Sequence, residues 1–430
     1  MRRLAAAIVV ALATITLAAP PAHAATASGF YTPPPGLPDT NGALVRSEPM
    51  ALRASVRIAG TAHSLPGTAT RLMYRSTDAV GDPVGVTGVY IEPTLPWTGT
   101  GARPLVAFAE GTQGQGDSCA PSKSLESVIV LDADGTGLGY EIPAIYSLLS
   151  RGVAVVVTDY IGLGTTDRVH SYADRLDSGR ALLDAARAAL ALPGTSVGGQ
   201  SAIGLYGYSQ GGGAVASAAE LAPSYAPELN LKGAYAGAPP AELTGVLKTL
   251  DGSSLTGIVG YALNGILQYY PEAQASISAQ LNPTGADIVR RVSTQCIGET
   301  LLTAPFSSTS SWTRSGQSLL TVIANDPAAR RAIDDQRIGR LRPTIPVQVL
   351  TGTQDDVVQH AQAKQLAADW CAQGADVTYV PVIQPLPSGR TGANHALPAF
   401  SRMPASEQWL IDRLEGVPAA SNCSALSWLP

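Results

Sequence analysis

The sequence predicts an α/β fold in which helices flank a mostly parallel central sheet. Residues 104–109 and 153–158 are continuous apolar runs, and such runs are typical of strands buried on both faces of a parallel sheet. After them, segments with helical spacing of apolar residues alternate with further short apolar runs. Strands that alternate with helices of this length form βαβ units, which build an open parallel sheet.

The elements before this region are extended. Residues 25–45 are rich in Pro, Thr and Gly and predict an arm that wraps a domain. Two β-type runs follow at residues 70–75 and 84–91, and the Gly81-Asp82-Pro83 turn between them predicts an antiparallel hairpin.

The alternation continues through the middle of the chain and returns near its end. The pattern predicts helices at residues 177–192, 210–222 and about 405–414, and strands at residues 203–207, 231–236, 346–350 and 377–382.

Between residues 240 and 342 few parts read as strands. Apolar helix candidates at residues 255–270 and 318–323 are punctuated by Gly, Pro and Ser. A helical insertion of this kind is most simply a cap over the edge of the sheet, and a separate second domain is the alternative. The predicted organisation is a leader at residues 1–24, a first part of the core at 25–239, the cap at 240–342 and a second part of the core at 343–430.

The leader has the pattern of a signal peptide. Arg2 and Arg3 precede an apolar run at residues 4–19, and Ala22-His23-Ala24 is a small-x-small cleavage pattern. The run is short for a membrane anchor and no stop-transfer flank follows it. We therefore expect export, with cleavage after Ala24, and no transmembrane segment later in the chain.

Composition excludes several classes of protein. The chain has 430 residues, of which 45% are hydrophobic, and a formal net charge of −5. This apolar content is typical of a globular protein rather than a disordered one. A binder of nucleic acid or of an anionic membrane would show an excess of basic residues, which this chain lacks.

Four cysteines follow the leader: Cys119, Cys296, Cys371 and Cys423. An even number in an exported protein predicts two disulfides, and the sequence alone leaves three pairings open. The closest pair in sequence is separated by 52 residues, whereas zinc sites use closely spaced ligands. We expect no metal.

The residues that carry chemistry begin with Gly207-Tyr208-Ser209-Gln210-Gly211, a G-x-S-x-G pentapeptide. A predicted buried strand ends at this motif and a predicted helix begins immediately after it. This context forces a sharp turn that exposes the Ser209 hydroxyl and aims the N–H groups of the new helix at developing negative charge. Ser209 is the candidate nucleophile.

A serine nucleophile needs a base and an orienting carboxylate, which in this arrangement follow the serine in the order acid, then histidine. Asp355 lies in the loop after the strand at residues 346–350, and we favour it over the adjacent Asp356. His395 lies in a predicted loop after the strand at residues 377–382 and is the candidate base. His360 is expected on the helix after Asp355, as a surface residue.

The oxyanion hole needs two N–H donors. Gln210, the residue after the nucleophile, is expected to give one. The second should come from the Gly-rich loop at residues 110–116. We assign it to Gly111, with Thr112 as the close alternative.

Several segments together resemble the secretory lipases of the α/β-hydrolase superfamily, the group of fungal lipase A and exported actinobacterial lipases. They are Phe30-Tyr31, Gly111-Thr112-Gln113-Gly114, Cys119-Ala120-Pro121-Ser122, Asp159-Tyr160-Ile161-Gly162-Leu163-Gly164, Gly207-Tyr208-Ser209-Gln210-Gly211-Gly212, Asn325-Asp326-Pro327, residues 352–358, and Cys371 with Cys423.

The resemblance implies a triad of Ser209, Asp355 and His395, and disulfides Cys119–Cys296 and Cys371–Cys423. It also implies that residues 240–340 form a helical lid over an acyl-binding tunnel. Asn394 before the histidine and Glu110 before Gly111 depart from the commoner family pattern.

These observations predict an exported serine ester hydrolase that needs no cofactor and acts on a small-molecule or lipid ester. Triacylglycerol is the leading substrate, with transient contact to a lipid surface. A short-chain carboxylesterase or an exported peptidase would use the same triad, and a non-catalytic binding protein on the same scaffold is a further alternative.

Overall fold

The computed structural model describes residues 29–58, 61–127, 130–131, 139–384 and 389–430. The predicted leader at residues 1–24 lies outside the described residues. The strands are β1 (Leu44–Met50), β2 (Ser55–Ile58), β3 (Thr61–Ser64), β4 (Gly67–Thr77), β5 (Pro83–Pro93), β6 (Leu105–Ala109), β7 (Val130–Leu131), β8 (Ala154–Thr158), β9 (Ile203–Tyr208), β10 (Leu231–Gly237), β11 (Val347–Gly352) and β12 (Val377–Val382).

The helices follow the same chain order. They are α1 (Pro121–Ser124), α2 (Ile142–Ser150), α3 (Arg175–Ala191), α4 (Gln210–Tyr225), α5 (Leu243–Leu250), α6 (Ile258–Leu267), α7 (Pro271–Gln280), α8 (Pro283–Val292), α9 (Ile297–Thr303), α10 (Leu319–Asn325), α11 (Pro327–Asp334), α12 (His360–Ala372), α13 (Ala393–Ser401) and α14 (Met403–Leu414). Short 3₁₀ helices span Gly29–Tyr31, Asp117–Cys119, Thr309–Trp312 and Cys423–Trp428.

One nine-stranded sheet organises the core, in the order β1-β4-β5-β8-β6-β9-β10-β11-β12. From β8 to β12 all neighbouring strands are parallel. The β4–β5 hairpin and β1 continue the sheet in antiparallel pairing. The predicted mostly parallel sheet and the predicted hairpin are both confirmed. A small second sheet has the order β3-β2-β7.

Helices cover both faces of the large sheet. On one face α3, α4 and α12 contribute side chains to the largest apolar cluster, and on the other face α2 and α14 contribute to a second cluster. Every residue of β6, β8, β9 and β11 is buried, because these strands are covered on both faces. Their continuous apolar sequences are explained by this burial.

The helices α5 to α11 form a layer of their own between β10 and β11 in the chain. Tyr261, Ile266 and Trp312 are fully buried at its centre. We call this layer, residues 243–334, the cap. The prediction that this stretch is helical is confirmed. Because β6, β9, β10 and β11 are parallel, their carboxyl ends meet at one edge of the sheet, which is where ligands bind in open α/β folds.

Two further features complete the fold. Phe30 and Tyr31 are buried, and the Tyr31 hydroxyl lies 2.9 Å from that of Ser122, so the start of the described chain packs on the core as predicted for the arm. Among the described residues, no helix combines the length and the apolar character that crossing a membrane requires.

Candidate active site

Ser209 occupies the turn between β9 and α4 with a backbone conformation that few residues other than glycine adopt. Its φ is 58° and its ψ is −120°. The Ser209 N–H donates to the Gly237 carbonyl oxygen at 2.9 Å, which ties the turn to the end of β10. A serine held at this strained conformation is typical of a nucleophile elbow.

The glycines of the pentapeptide let the helix approach the strands closely. A Cβ atom on Gly211 would lie 1.9 Å from the Ala109 carbonyl oxygen, and one on Gly207 would lie 2.5 Å from the Gly211 backbone. A Cβ atom on the next residue, Gly212, would lie 2.0 Å from the Gly237 carbonyl oxygen. Backbone packing of this kind leaves no space for any side chain.

The structure brings the three predicted residues of the triad together. The Ser209 Oγ lies 2.7 Å from His395 Nε2. On the other side of the ring, His395 Nδ1 lies 2.8 Å and 3.0 Å from the two carboxylate oxygens of Asp355. A hydroxyl, an imidazole and a carboxylate in this order can transfer the serine proton to the histidine.

Asp355 is held in place by its burial and by backbone groups, in addition to its contact with His395. Its side chain has no exposed surface, and its Oδ1 accepts the N–H groups of Val357 and Val358 at 2.9 Å and 2.8 Å. These bonds hold the carboxylate in one orientation, so that it can select the tautomer of His395 that carries its proton on Nδ1.

The prediction of a loop at His395 is wrong, because this residue is the third of α13. The helix begins after Gly392, whose φ of 82° turns the chain. Asp356 Oδ2 accepts the N–H groups of Thr391 and Gly392, both at 3.0 Å, and Oδ1 accepts that of His395 at 3.1 Å. Asp356 therefore caps the helix that carries the histidine, a role that the sequence reasoning missed.

The other histidines near the core have different contacts. His170 is fully buried, with Nδ1 3.0 Å from the Ile161 carbonyl oxygen and Nε2 3.0 Å from the side-chain amide nitrogen of Gln210. Burial lowers the pKa of His170 to about 4, against the hydrogen bond to Ile161, so this ring is neutral at physiological pH. His360 is the first residue of α12 and is half-buried, 3.1 Å from the Tyr379 hydroxyl.

Candidate oxyanion donors lie on both sides of Ser209. Gln210 is the first residue of α4, so its N–H has no partner within the helix. The Gly111 N–H donates to Glu141 Oε2 at 2.7 Å and is therefore occupied. The adjacent Thr112 lines the cavity in front of Ser209, and within the described parts of the chain its N–H has no acceptor. This geometry favours Thr112 over Gly111.

A cavity of about 1090 Å³ opens in front of Ser209 and His395. Its walls are largely apolar, and the cap contributes many of the lining side chains alongside residues of the core. The lining side chains include Leu243, Val246, Leu247, Ile258, Val259, Ala262, Leu263, Ile266, Ile297, Leu301, Ile323 and Ile333. A volume of this size lined by aliphatic side chains suits a long apolar ligand.

Both disulfides implied by the family resemblance are present, Cys119–Cys296 and Cys371–Cys423. The first joins the segment after the Gly-rich loop to the start of α9 in the cap. Backbone pairing of Gly114 with Cys296, and the Ile297 N–H bond to the Gln113 carbonyl at 2.8 Å, continue this junction. The Gly-rich loop and the cap therefore share a covalent and hydrogen-bonded boundary.

The part of the chain that the structure describes contains no group of three or more His, Cys, Asp or Glu residues arranged to hold a metal ion.

Comparison with known proteins places the chain in a family. Residues 129–422 match the secretory lipase family model. The secreted triacylglycerol lipase LIP5 of Malassezia furfur is 31% identical over 321 residues, which cover 73% of this chain and 79% of that protein. A Mycobacterium tuberculosis protein named as a probable inactive lipase is 27% identical over 400 residues, with 93% and 84% covered.

The fold has a solved counterpart in lipase A of Candida antarctica in its closed state. The TM-score is 0.74 at 21% identity, over 92% of this chain and 87% of that one. Together with the sequence match, which spans more than half of the chain, this likeness shows that the protein belongs to the secretory lipase family and has the α/β-hydrolase fold.

Proposed function

We propose that the protein hydrolyses carboxylic esters through an acyl-enzyme formed on Ser209. The observation that carries this proposal is the continuous chain from Ser209 Oγ through His395 to Asp355, open to a large apolar cavity. Family membership alone would not suffice, since one relative is named as a probable inactive lipase.

In the proposed mechanism, Ser209 Oγ attacks the ester carbonyl carbon while His395 Nε2 takes the hydroxyl proton. Asp355 stabilises the imidazolium through Nδ1–H. Collapse of the tetrahedral intermediate breaks the bond to the alcohol oxygen, which receives the proton from His395. Water then attacks the acyl-enzyme and gives a proton to His395. As the second tetrahedral intermediate collapses, the bond between the acyl carbon and Ser209 Oγ breaks and His395 returns the proton to Oγ, which releases the carboxylic acid and free Ser209.

The backbone N–H groups of Gln210 and Thr112 are the proposed oxyanion donors. The support for Thr112 is its place in the cavity wall, together with the bond that already engages Gly111. Donors of this kind stabilise the charge that develops on the carbonyl oxygen and typically contribute about 10²-fold or more to kcat each.

Fatty-acyl esters are the proposed substrates, with triacylglycerol first among them. The apolar walls and volume of the cavity support a long acyl chain. We further propose that residues 240–342 act as a lid at a lipid surface. In support, Leu302 follows the cavity-lining Leu301, and both Leu302 and Phe306 are exposed, at 81% and 60%. Phe400 of α13 lines the cavity and is itself 46% exposed.

Export is part of the proposal. The basic start, apolar run and Ala22-His23-Ala24 pattern support removal of residues 1–24 by signal peptidase. The N-terminal sequence of protein collected from the culture medium tests this: a chain that starts at Ala25 is expected, and a retained Arg2-Arg3 would overturn the assignment.

The activity is tested with glycerol triesters of increasing chain length, below and above their solubility limits. We expect wild-type activity to rise on long-chain emulsions. The Ser209→Ala variant should lose turnover by about 10⁴-fold or more, whereas Ser224→Ala, an exposed serine on the same helix, should match wild type. Activity confined to dissolved short esters would instead assign a carboxylesterase, and cleavage of peptide anilides but not esters would assign a peptidase.

A further inference from the structure

The Gly-rich loop beside Ser209 is held by hydrogen bonds to three successive residues. The Tyr160 hydroxyl donates to the Glu110 carbonyl oxygen at 2.5 Å, and the Gly111 N–H donates to Glu141 Oε2 at 2.7 Å. The Thr112 hydroxyl lies 2.7 Å from that of Tyr172. Of these three bonds, the one to Glu141 engages a backbone N–H, the type of group on which oxyanion binding depends.

The position of Glu141 is unusual for its own helix. It is the residue that precedes α2, where a carboxylate normally accepts N–H groups of the first helical turn. Glu141 makes no such bond. Its side chain extends instead to Gly111, 30 residues earlier in the chain, and so links the start of α2 to the loop beside the nucleophile.

Glu141 and Glu110 form a buried pair of carboxyl groups without a cation. Both are buried, and among the described residues neither has an ion pair. Burial raises the pKa of each above that of a free carboxyl group, and the Coulombic effect of Glu110 raises that of Glu141 further. Bonding to Gly111 opposes this rise.

We propose that Glu141 is a positioning residue for the oxyanion hole: its carboxyl group takes the Gly111 N–H and thereby leaves the Thr112 N–H free for the substrate oxygen. This inference rests on the proposed role of Ser209. An amide or protonated carboxyl can accept the Gly111 N–H without placing negative charge near the hole, whereas a carboxylate there would repel the developing oxyanion. Burial of the pair favours the uncharged form of its carboxyl groups.

The ionisable groups that face Glu110 and Glu141 are a carboxyl group and phenols, which do not favour the charged form of the pair. The nearby Asp159 carboxyl group raises the pKa of Glu110. Burial in turn raises the pKa of Asp159 itself. The other groups are tyrosines, Tyr140, Tyr160, Tyr206 and Tyr235, whose pKa values burial raises far above their ordinary range. These tyrosines stay neutral across the pH range of an activity assay.

The first test compares Glu141→Gln, which keeps an acceptor for Gly111, with Glu141→Met, which has similar length and no comparable acceptor. On p-nitrophenyl butyrate we expect Glu141→Met to lower kcat by about 10²-fold with KM within about twofold, and Glu141→Gln to stay within about threefold of wild type. A trifluoromethyl ketone, which forms a tetrahedral adduct with the serine, should bind Glu141→Met about 10²-fold more weakly.

The second test uses pH. Wild-type kcat should decline by at least about tenfold at alkaline pH, where the pair loses protons, and the double variant Glu110→Gln/Glu141→Gln should lack this decline. Should the Glu141→Met chain not fold, this profile decides the question. An unchanged kcat in folded Glu141→Met, an effect on KM alone, or an alkaline decline that persists in the double variant would overturn the proposal.

Labelling with a fluorophosphonate separates this outcome from failure of the proposed function. If wild-type Ser209 is not labelled, the nucleophile assignment fails. If Ser209 is labelled and hydrolysis depends on it, while Glu141→Met behaves as wild type, only the positioning role of Glu141 is refuted.

Discussion

Asp356 binds the backbone of His395: its Oδ1 accepts the His395 N–H at 3.1 Å. The preceding residue, Asp355, binds the ring of the same histidine at Nδ1. Two consecutive carboxylates therefore position one imidazole by different contacts. Asp356 fixes the start of the helix that carries the histidine, and Asp355 fixes the orientation of its ring.

This division predicts different losses for the two alanine variants. Asp355→Ala should lower kcat by about 10⁴-fold with KM little changed. It also removes the acceptor of the Val357 and Val358 N–H groups, so it should cost about 1–3 kcal/mol of unfolding free energy. Asp356→Ala removes the acceptor of three backbone N–H groups and should cost about 2–4 kcal/mol of unfolding free energy, with a fall in kcat of about 10²-fold. Steady-state kinetics and urea unfolding measure both. Equal kinetic losses without any destabilisation in Asp356→Ala would contradict the division.

The close packing at the nucleophile predicts that Gly211→Ala is severe. Its new Cβ atom would meet the Ala109 carbonyl oxygen, a backbone atom that cannot move aside, so we expect a loss of about 3 kcal/mol in unfolding free energy and of most activity. Gly298→Ala in α9 is the matched control for stability, because a Cβ atom there meets no neighbouring atom within 4 Å. A fully stable and active Gly211→Ala variant would show that the elbow is looser than described.

Cavity volume should control acyl-chain preference. Ala262 of α6 lines the cavity, and Ala262→Phe would fill part of it. We expect kcat/KM on p-nitrophenyl palmitate to fall about tenfold relative to that on the butyrate. Ala275→Phe places the same side chain at an exposed position of α7 and should leave the ratio unchanged. If both variants kept the wild-type ratio, acyl chains would not enter this part of the cavity.

A buried carboxyl group away from the site should make stability depend on pH. Burial of Glu407 raises its pKa to about 7, although the Ser147 hydroxyl donates to it. The unfolded chain loses this proton near pH 4, so the contribution of Glu407 to folding is full below that pH and is lost as pH rises to about 7.

The Glu407→Gln variant keeps an acceptor for Ser147 and removes the titration. Its unfolding free energy in urea should therefore exceed that of wild type at pH 8 by about 3 kcal/mol and approach it at pH 4. Glu272→Gln, at an exposed position of α7, serves as the control and should show no such difference. If the unfolding free energy of Glu407→Gln at pH 8 equalled that of wild type, Glu407 would not be the group whose titration changes stability.

The parallel half of the sheet could be predicted because each of its central strands is buried on both faces, which leaves an unbroken apolar run in the sequence. The elements that were not predicted lack such a signal. Strand β1 has a mixed burial pattern, and β2 and β3 are four residues each. Strand β1 pairs with β4 and β2 pairs with β7, in each case across an intervening part of the chain, so a local pattern does not predict these pairings.

Within the site, order along the chain and the strand-to-helix context pointed to Ser209, Asp355 and His395, whose side chains lie together in the structure. The helix at His395 was not predicted, because the residue that caps its N-terminus, Asp356, lies 39 residues earlier in the chain. The engagement of Gly111 by Glu141 escaped for the same reason, since nothing in the local sequence of either residue reveals a contact across 30 residues. Long-range polar bonds are specific to the folded chain.

The two disulfides divide the polypeptide into closed rings, and this topology separates the triad. The ring closed by Cys119 and Cys296 contains Ser209, and the ring closed by Cys371 and Cys423 contains His395. Asp355 belongs to neither. No covalent cross-link therefore confines any two of the three residues to one ring, and their alignment is set by the packing of β9, β11 and α13. Ester turnover during unfolding thus reports on non-covalent assembly of the core, even while both cross-links stay oxidised.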